Sequence, residues 1–304
     1  MGVFRTAGIA AALLAAAACG GNPVAGALDS FVAEEVTFTS RGVEVPATFV
    51  RPGTAIAKRY PVVVMAHGHG GNRDEAGGFR RLAEALALRG IATIRPDFPG
   101  CGQSGEPFTR NNLTNMLADT RAALDYARRH PGVDTERAGI VGYSMGARVT
   151  MLLLPDGFTA AVLWAPAGLD GPDAMLSFLG GRSRYAELRS QAHRDGFAPF
   201  VTPWGQDQAL GSQWFDDLEN YRPMAALGSF AGALLVISGA DDVIIDPDIA
   251  RAVAAAATGS DTVRLEVLAG TGHGLGFYDE NPAISVRVVQ ATADFIVSEL
   301  LRDP

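Results

Sequence analysis

The chain has 304 residues, 48% of them hydrophobic and 19% charged, which supplies one large core and excludes an intrinsically disordered protein. A net charge of −8, with no basic stripe to offset it, excludes nucleic acid as the partner. Cys19 and Cys101 are the only cysteines; if Cys19 carries a lipid, Cys101 has no partner and there is no disulfide framework, and a Cys19–Cys101 bridge is the alternative only without that lipid.

The first residues carry an export pattern. Arg5 precedes an apolar run from Ala7 to Ala18, which is too short to span a bilayer and suits a signal-peptide core. The run ends in Ala16-Ala17-Ala18-Cys19-Gly20-Gly21, which resembles a bacterial lipobox with Ala16 where Leu is usual. Residues 1–18 are therefore expected to be a lipoprotein-type signal peptide, with Cys19 as the lipidated residue. Residues 19–32, small and polar, read as a tether, and 33–304 as the folded domain. The expected location is outside the cytoplasm, anchored at the membrane only through a lipid on Cys19, or otherwise secreted.

Glu34 to Thr39 and Val43 to Val50 alternate polar and apolar residues, as a half-exposed hairpin turning at Arg41-Gly42 would. The pattern then changes. Val62 to Ala66 is a continuous apolar run, the mark of a strand buried on both faces. A helix is expected over about Asp74 to Arg89, closed by Gly90, then a strand at Ile91 to Arg95. Next come a helix near Thr114 to Arg129, a strand at Ala138 to Gly142, a helix from Met145 to Leu154 and a strand at Thr159 to Leu163.

After an interruption from about Ala165 to Ser229 the alternation resumes. A strand at Ala233 to Ser238, a helix near Pro247 to Ala257, a strand at Thr262 to Leu268 and a last helix from about Ile284 to Leu301 follow. Strands alternating with helices predict an α/β fold with a mostly parallel, doubly wound sheet. The interruption follows the sixth strand and carries Phe178, Trp204, Trp214, Phe215 and other aromatics. It reads as a lid or cap whose aromatics mainly form its own core, with a few facing substrate.

Gly142-Tyr143-Ser144-Met145-Gly146 is a G-x-S-x-G pattern between a strand and a helix, the setting in which a sharp turn lifts a serine hydroxyl to the sheet edge. A serine needs a base. His273, in Gly270-Thr271-Gly272-His273-Gly274 after the last strand, reaches the same edge. His67 and His69 flank Gly68 but lack an evident third ligand for a metal, and His130 and His193 read as surface or packing residues. The base needs an acid to fix its tautomer. Asp241 and Asp242 both follow a strand; Asp242 is preferred, with Asp246 as an outsider and Asp170 or Asp173 as a minority alternative. The backbone N–H groups of Met145 and of His69, in His67-Gly68-His69-Gly70-Gly71, are expected to hold the oxyanion. The His69 side chain is expected to line the pocket too.

With these residues placed, the chain resembles the α/β-hydrolase superfamily, and within it cinnamoyl/feruloyl-esterase-like and dienelactone-hydrolase-like members. The resemblance rests on His67-Gly68-His69-Gly70-Gly71-Asn72, on Asp97 to Gly105, on the serine turn, on Gly239-Ala240-Asp241-Asp242 with Pro247, and on Gly272-His273. It implies that the acid is the fourth residue of G-x-x-D, which supports Asp242, and that the Asp97 segment is a structural turn. The expected activity is hydrolysis of short-acyl or small aromatic carboxylic esters through an acyl-enzyme, with no metal or organic cofactor. A serine peptidase or amidase on the same fold is the alternative enzyme, and a catalytically silent surface binding lipoprotein the alternative of another class.

Overall fold

The computed structural model describes residues 30–53, 59–278 and 281–302. The expected signal peptide, Cys19 and most of the expected tether lie outside the described residues. The first strand begins at Phe31, inside the last stretch expected as tether.

Two antiparallel strands, β1 (Phe31–Ser40) and β2 (Val43–Pro52), open the sheet. The parallel strands are β3 (Tyr60–Ala66), β4 (Ala92–Pro96), β5 (Val133–Tyr143), β6 (Ala160–Trp164), β9 (Ala233–Gly239) and β10 (Val263–Leu268). Their order across the sheet is β1-β2-β4-β3-β5-β6-β9-β10, with β2 antiparallel to β4. All seven residues of β3 are buried, so neither of its faces meets water. Because side chains alternate across a strand, Val62, Val64 and Ala66 join the core on one face while Val63 and Met65 join the core on the other.

Helices cover both faces. The larger core packs under α2 (Leu113–Arg128), α3 (Met145–Leu153) and α8 (Pro247–Ala256). The second packs under α1 (Gly78–Ala87) and α9 (Pro282–Leu300). Asn112 and Asp246 cap α2 and α8 by accepting the N–H groups of Asn115 and Asp248. No described helix is long and apolar enough to cross a membrane.

Helix α1 starts at Gly78, four residues later than the sequence suggests. Glu75, Ala76 and Gly77 have φ of +45°, +48° and +83°, a left-handed run that cannot continue a right-handed helix.

Between β6 and β9 lie α4 (Leu176–Leu179), α5 (Arg182–Asp195), the hairpin of β7 (Phe197–Val201) and β8 (Asp207–Gly211), α6 (Ser212–Asn220) and α7 (Pro223–Gly228). This is the cap after the sixth strand. Tyr185, Trp214 and Phe215 are buried within it, whereas Trp204 is exposed.

Candidate active site

The turn from β5 into α3 holds Ser144 at φ 53° and ψ −113°, a conformation that L residues avoid. Close packing enforces it. A Cβ on Gly146 would stand 1.9 Å from the carbonyl oxygen of Ala66, and one on Gly142 would stand 2.3 Å from the carbonyl oxygen of Gly146. The Ser144 N–H donates to the Trp164 carbonyl at 2.8 Å, which ties the turn to the neighbouring strand.

The Ser144 hydroxyl lies 3.0 Å from His273 Nε2, and His273 Nδ1 lies 2.7 Å from Asp242 Oδ2. With Nδ1–H donating to the carboxylate, Nε2 is free to accept the serine proton. The other Asp242 oxygen accepts the N–H groups of Ile244 at 2.8 Å and Ile245 at 2.9 Å. The Asp242 side chain is fully buried while Asp241 is exposed, so the structure brings Asp242 to the histidine. The other carboxylates serve elsewhere: Asp246 caps α8, Asp170 accepts the Met224 N–H, and Asp173 pairs with Arg182.

Met145 is the first residue of α3, where an N–H has no partner within the helix. Neither its N–H nor that of His69 has an acceptor among the described residues. The peptide unit carrying the His69 N–H is held at its other end. Its carbonyl, that of Gly68, accepts from His67 Nδ1 at 2.8 Å and from the Gly71 N–H at 3.2 Å. His67 Nε2 in turn accepts the Phe98 N–H at 3.0 Å. Burial lowers the His67 pKa to about 4, so the ring is neutral and donates from Nδ1 alone.

The His69 side chain turns to the cap. Its Nε2 lies 2.7 Å from Gln208 Oε1, and its ring packs edge-on against Phe108, Phe178 and Trp214. Burial lowers its pKa to about 4 as well. His130, which meets the Tyr60 hydroxyl and the Gly132 N–H, packs against the fold. His193 pairs with Asp216 on the cap surface. Among the described residues no group of three or more His, Cys, Asp and Glu is placed to hold a metal ion.

Asp97 accepts the N–H groups of Arg73 and Gln103, both at 2.8 Å, which makes its segment a turn. Cys101 is buried and free, and burial pushes its thiol up to about 12.

Ser144, His273 and His69 line a cavity of about 480 Å³. Met175, Phe178, Trp204, Ile244 and Ile245 give it an apolar wall drawn from the cap and from the loop after β9. Sequence reasoning missed Glu75 and Tyr278, which line it too. Glu75 is 1% exposed; its carboxylate accepts the Gly68 N–H at 2.7 Å and the Tyr278 hydroxyl. Burial pushes its pKa up to about 7, against the lowering effect of those two bonds. The one sequence signal was Gly77-Gly78, two residues after it, a poor helix interior.

Residues 63–287 match the family described as alpha/beta hydrolase. The quorum-quenching protein AidA of Acinetobacter baumannii is 30% identical over 170 residues, 49% of this chain; the chain spans about half of that relative's length, 55%. Among solved structures, Est1E from Butyrivibrio proteoclasticus, described with ferulic acid bound, superposes with a TM-score of 0.72 at 20% identity, over 88% of this chain and 100% of that one. Acylaminoacyl peptidase from Pyrococcus horikoshii superposes at 0.68 and 16% identity, over 91% of this chain and 43% of that one. At such identities the likeness is one of fold.

Proposed function

The chain belongs to the alpha/beta hydrolase family, and on that premise we propose that it is a carboxylic ester hydrolase working through an acyl-enzyme on Ser144. The observation that carries the reading is the unbroken hydrogen-bond chain from Ser144 to His273 to Asp242 on the wall of a mainly apolar cavity.

In this reading Ser144 Oγ attacks the ester carbonyl as His273 Nε2 takes its proton. The tetrahedral oxyanion meets the N–H groups of His69 and Met145. Buried Asp242 holds the Nδ1–H and stabilises the imidazolium. The imidazolium then protonates the departing alcohol, leaving the acyl group on Ser144. Water, deprotonated by the same imidazole, attacks that acyl group and releases the acid. The apolar wall and the cavity of about 480 Å³ suit short-acyl or small aromatic esters. The proposal includes location: export directed by residues 1–18 and a lipid on Cys19. The intact mass of the mature protein from its host tests this, and an unmodified Met1 would overturn it.

The decisive experiment is hydrolysis of p-nitrophenyl acetate and butyrate by wild type and Ser144→Ala, with matching anilides alongside. Ester turnover is expected to fall by about 10⁴-fold or more in kcat in the variant. An unchanged rate would end the reading, and faster cleavage of the anilides than of the esters by wild type would move it to an amidase.

A further inference from the structure

Glu75 is a buried carboxyl in the cavity wall for which the acyl-enzyme chemistry has no direct use. No basic side chain among the described residues pairs with it, so its charged form lacks the usual compensation. The chain also accepts an unfavourable backbone to place it, since Glu75 and Ala76 are both left-handed without being glycine. Room is reserved for it as well. A Cβ on Gly71 would stand 3.1 Å and 3.2 Å from the two Glu75 carboxylate oxygens.

What this arrangement achieves is visible in where the two oxygens go. Oε2 takes the N–H of Gly68, in the loop after β3. Oε1 takes the hydroxyl of Tyr278, in the loop after β10, five residues beyond His273. The Tyr278 ring stacks on Tyr143 at 6.3 Å, and the Tyr143 hydroxyl donates to the His273 carbonyl at 3.1 Å. On the other side, the Gly68 carbonyl is already held by His67 and by the Gly71 N–H. Once Glu75 fixes the Gly68 N–H, both peptide units of Gly68 are held and the direction of the His69 N–H follows from their planarity.

We propose that Glu75 is a positioning residue for ester hydrolysis, clasping the loop that carries the His69 N–H to the loop that carries His273. The proposal rests on the acyl-enzyme reading above. Deleting an oxyanion donor costs about 10²- to 10³-fold in kcat; letting one drift costs less, about ten- to a hundredfold.

The test compares wild type, Glu75→Leu, Glu75→Gln and Tyr278→Phe on p-nitrophenyl butyrate, with kcat expressed per site titrated by a fluorophosphonate probe. That normalisation discounts misfolded protein, which a merely structural role would produce. Glu75→Leu fills the space but accepts no hydrogen bond, and kcat is expected to fall about ten- to a hundredfold with KM within about twofold. Glu75→Gln is expected to recover to within about threefold of wild type, because its oxygen can accept from Gly68 and its NH₂ can donate to the Tyr278 oxygen. Tyr278→Phe, at a half-exposed position, is expected to lose about three- to tenfold.

An unchanged kcat per site in Glu75→Leu, or a rise in KM alone, overturns the proposal. If Glu75→Leu yields no folded protein, an unchanged kcat in Tyr278→Phe overturns it. A wild type that neither hydrolyses the ester nor labels at Ser144 overturns the ester-hydrolase reading and this proposal with it. A wild type that does both, beside an unaffected Glu75→Leu, overturns this proposal alone.

Discussion

A methyl group at Gly146 would collide with the backbone of β3, because the obstacle is the Ala66 carbonyl at 1.9 Å. No rotamer relieves such a clash; α3 would have to move off the sheet and carry Ser144 with it. Gly146→Ala is therefore expected to lose about 1–3 kcal/mol of stability and to label poorly with a fluorophosphonate even when folded. Wild-type labelling would show that the turn tolerates the shift. Asp242 and Asp241 differ in the opposite sense, by chemistry more than by space. Asp242→Asn keeps the shape, but its NH₂ can face His273 Nδ1 and force the proton onto Nε2, where Ser144 needs an acceptor. A loss of about 10⁴-fold in kcat is expected. Asp241→Asn, at an exposed position one residue away, is expected to stay within about twofold. Equal losses in the two variants would remove Asp242 from its role.

At the scale of elements, the cap is bound to the sheet domain by a charge. Arg148, fully buried in α3, donates to the carbonyls of Ala167 at 3.3 Å, Gly171 at 2.9 Å and Leu218 at 3.3 Å. Burial lowers its pKa, to about 10, which still leaves it charged at neutral pH. Arg148→Met keeps an unbranched apolar stem and removes every donor. Stability is expected to fall by about 1–3 kcal/mol for each buried carbonyl left without a donor, and limited proteolysis should cut first between 165 and 229. Cleavage elsewhere first would show that the cap is held by other contacts. Neither this clamp nor the clasp at Glu75 could be read from the sequence. Arg148 has its partners 19, 23 and 70 residues away, and Glu75 meets Tyr278 across 203. Glu75 also sat inside an expected helix, since helical pattern does not register a left-handed run. The parallel strands were legible because burial on both faces turns them into continuous apolar runs, as in β3. Ser144, Asp242 and His273 were legible because each follows a strand that ends at one sheet edge. The cap was legible only as an interruption; α4 has four residues, and α5 buries only Tyr185, Leu188 and Ala192, a stripe too sparse to stand out in a mostly exposed helix.

The molecule as a whole concentrates buried ionisable groups beside its site, and their titration sets how stability depends on pH. His67 and His69 are neutral when folded, with pKa values lowered to about 4 from 6.5. Between those values the unfolded chain binds the extra protons, so their contribution is present above pH 6.5 and is lost as pH falls through about 4. Glu75 works in the other direction. Its folded pKa is about 7 against 4.5, so the folded chain binds the extra proton; its contribution is present below pH 4.5 and is lost as pH rises through about 7. From pH 4.5 to 6.5 two imidazoles oppose one carboxyl, which leaves a net gain of stability with rising pH. Above 6.5 the carboxyl acts alone and stability declines slightly, by under about 1 kcal/mol. Burial also raises the pKa of Asp119, which adds to the carboxyl side, and lowers that of His130, which adds to the imidazole side. Comparing wild type with Glu75→Gln isolates Glu75, because every other group is common to both chains. The variant is expected to show a steeper rise in Tm between pH 4.5 and 6.5, by about one proton's linkage, and no decline between 6.5 and 7.5. Calorimetry across pH 4–8 measures both slopes. Parallel Tm curves for the two chains would mean that the Glu75 carboxyl titrates alike in the folded and unfolded states.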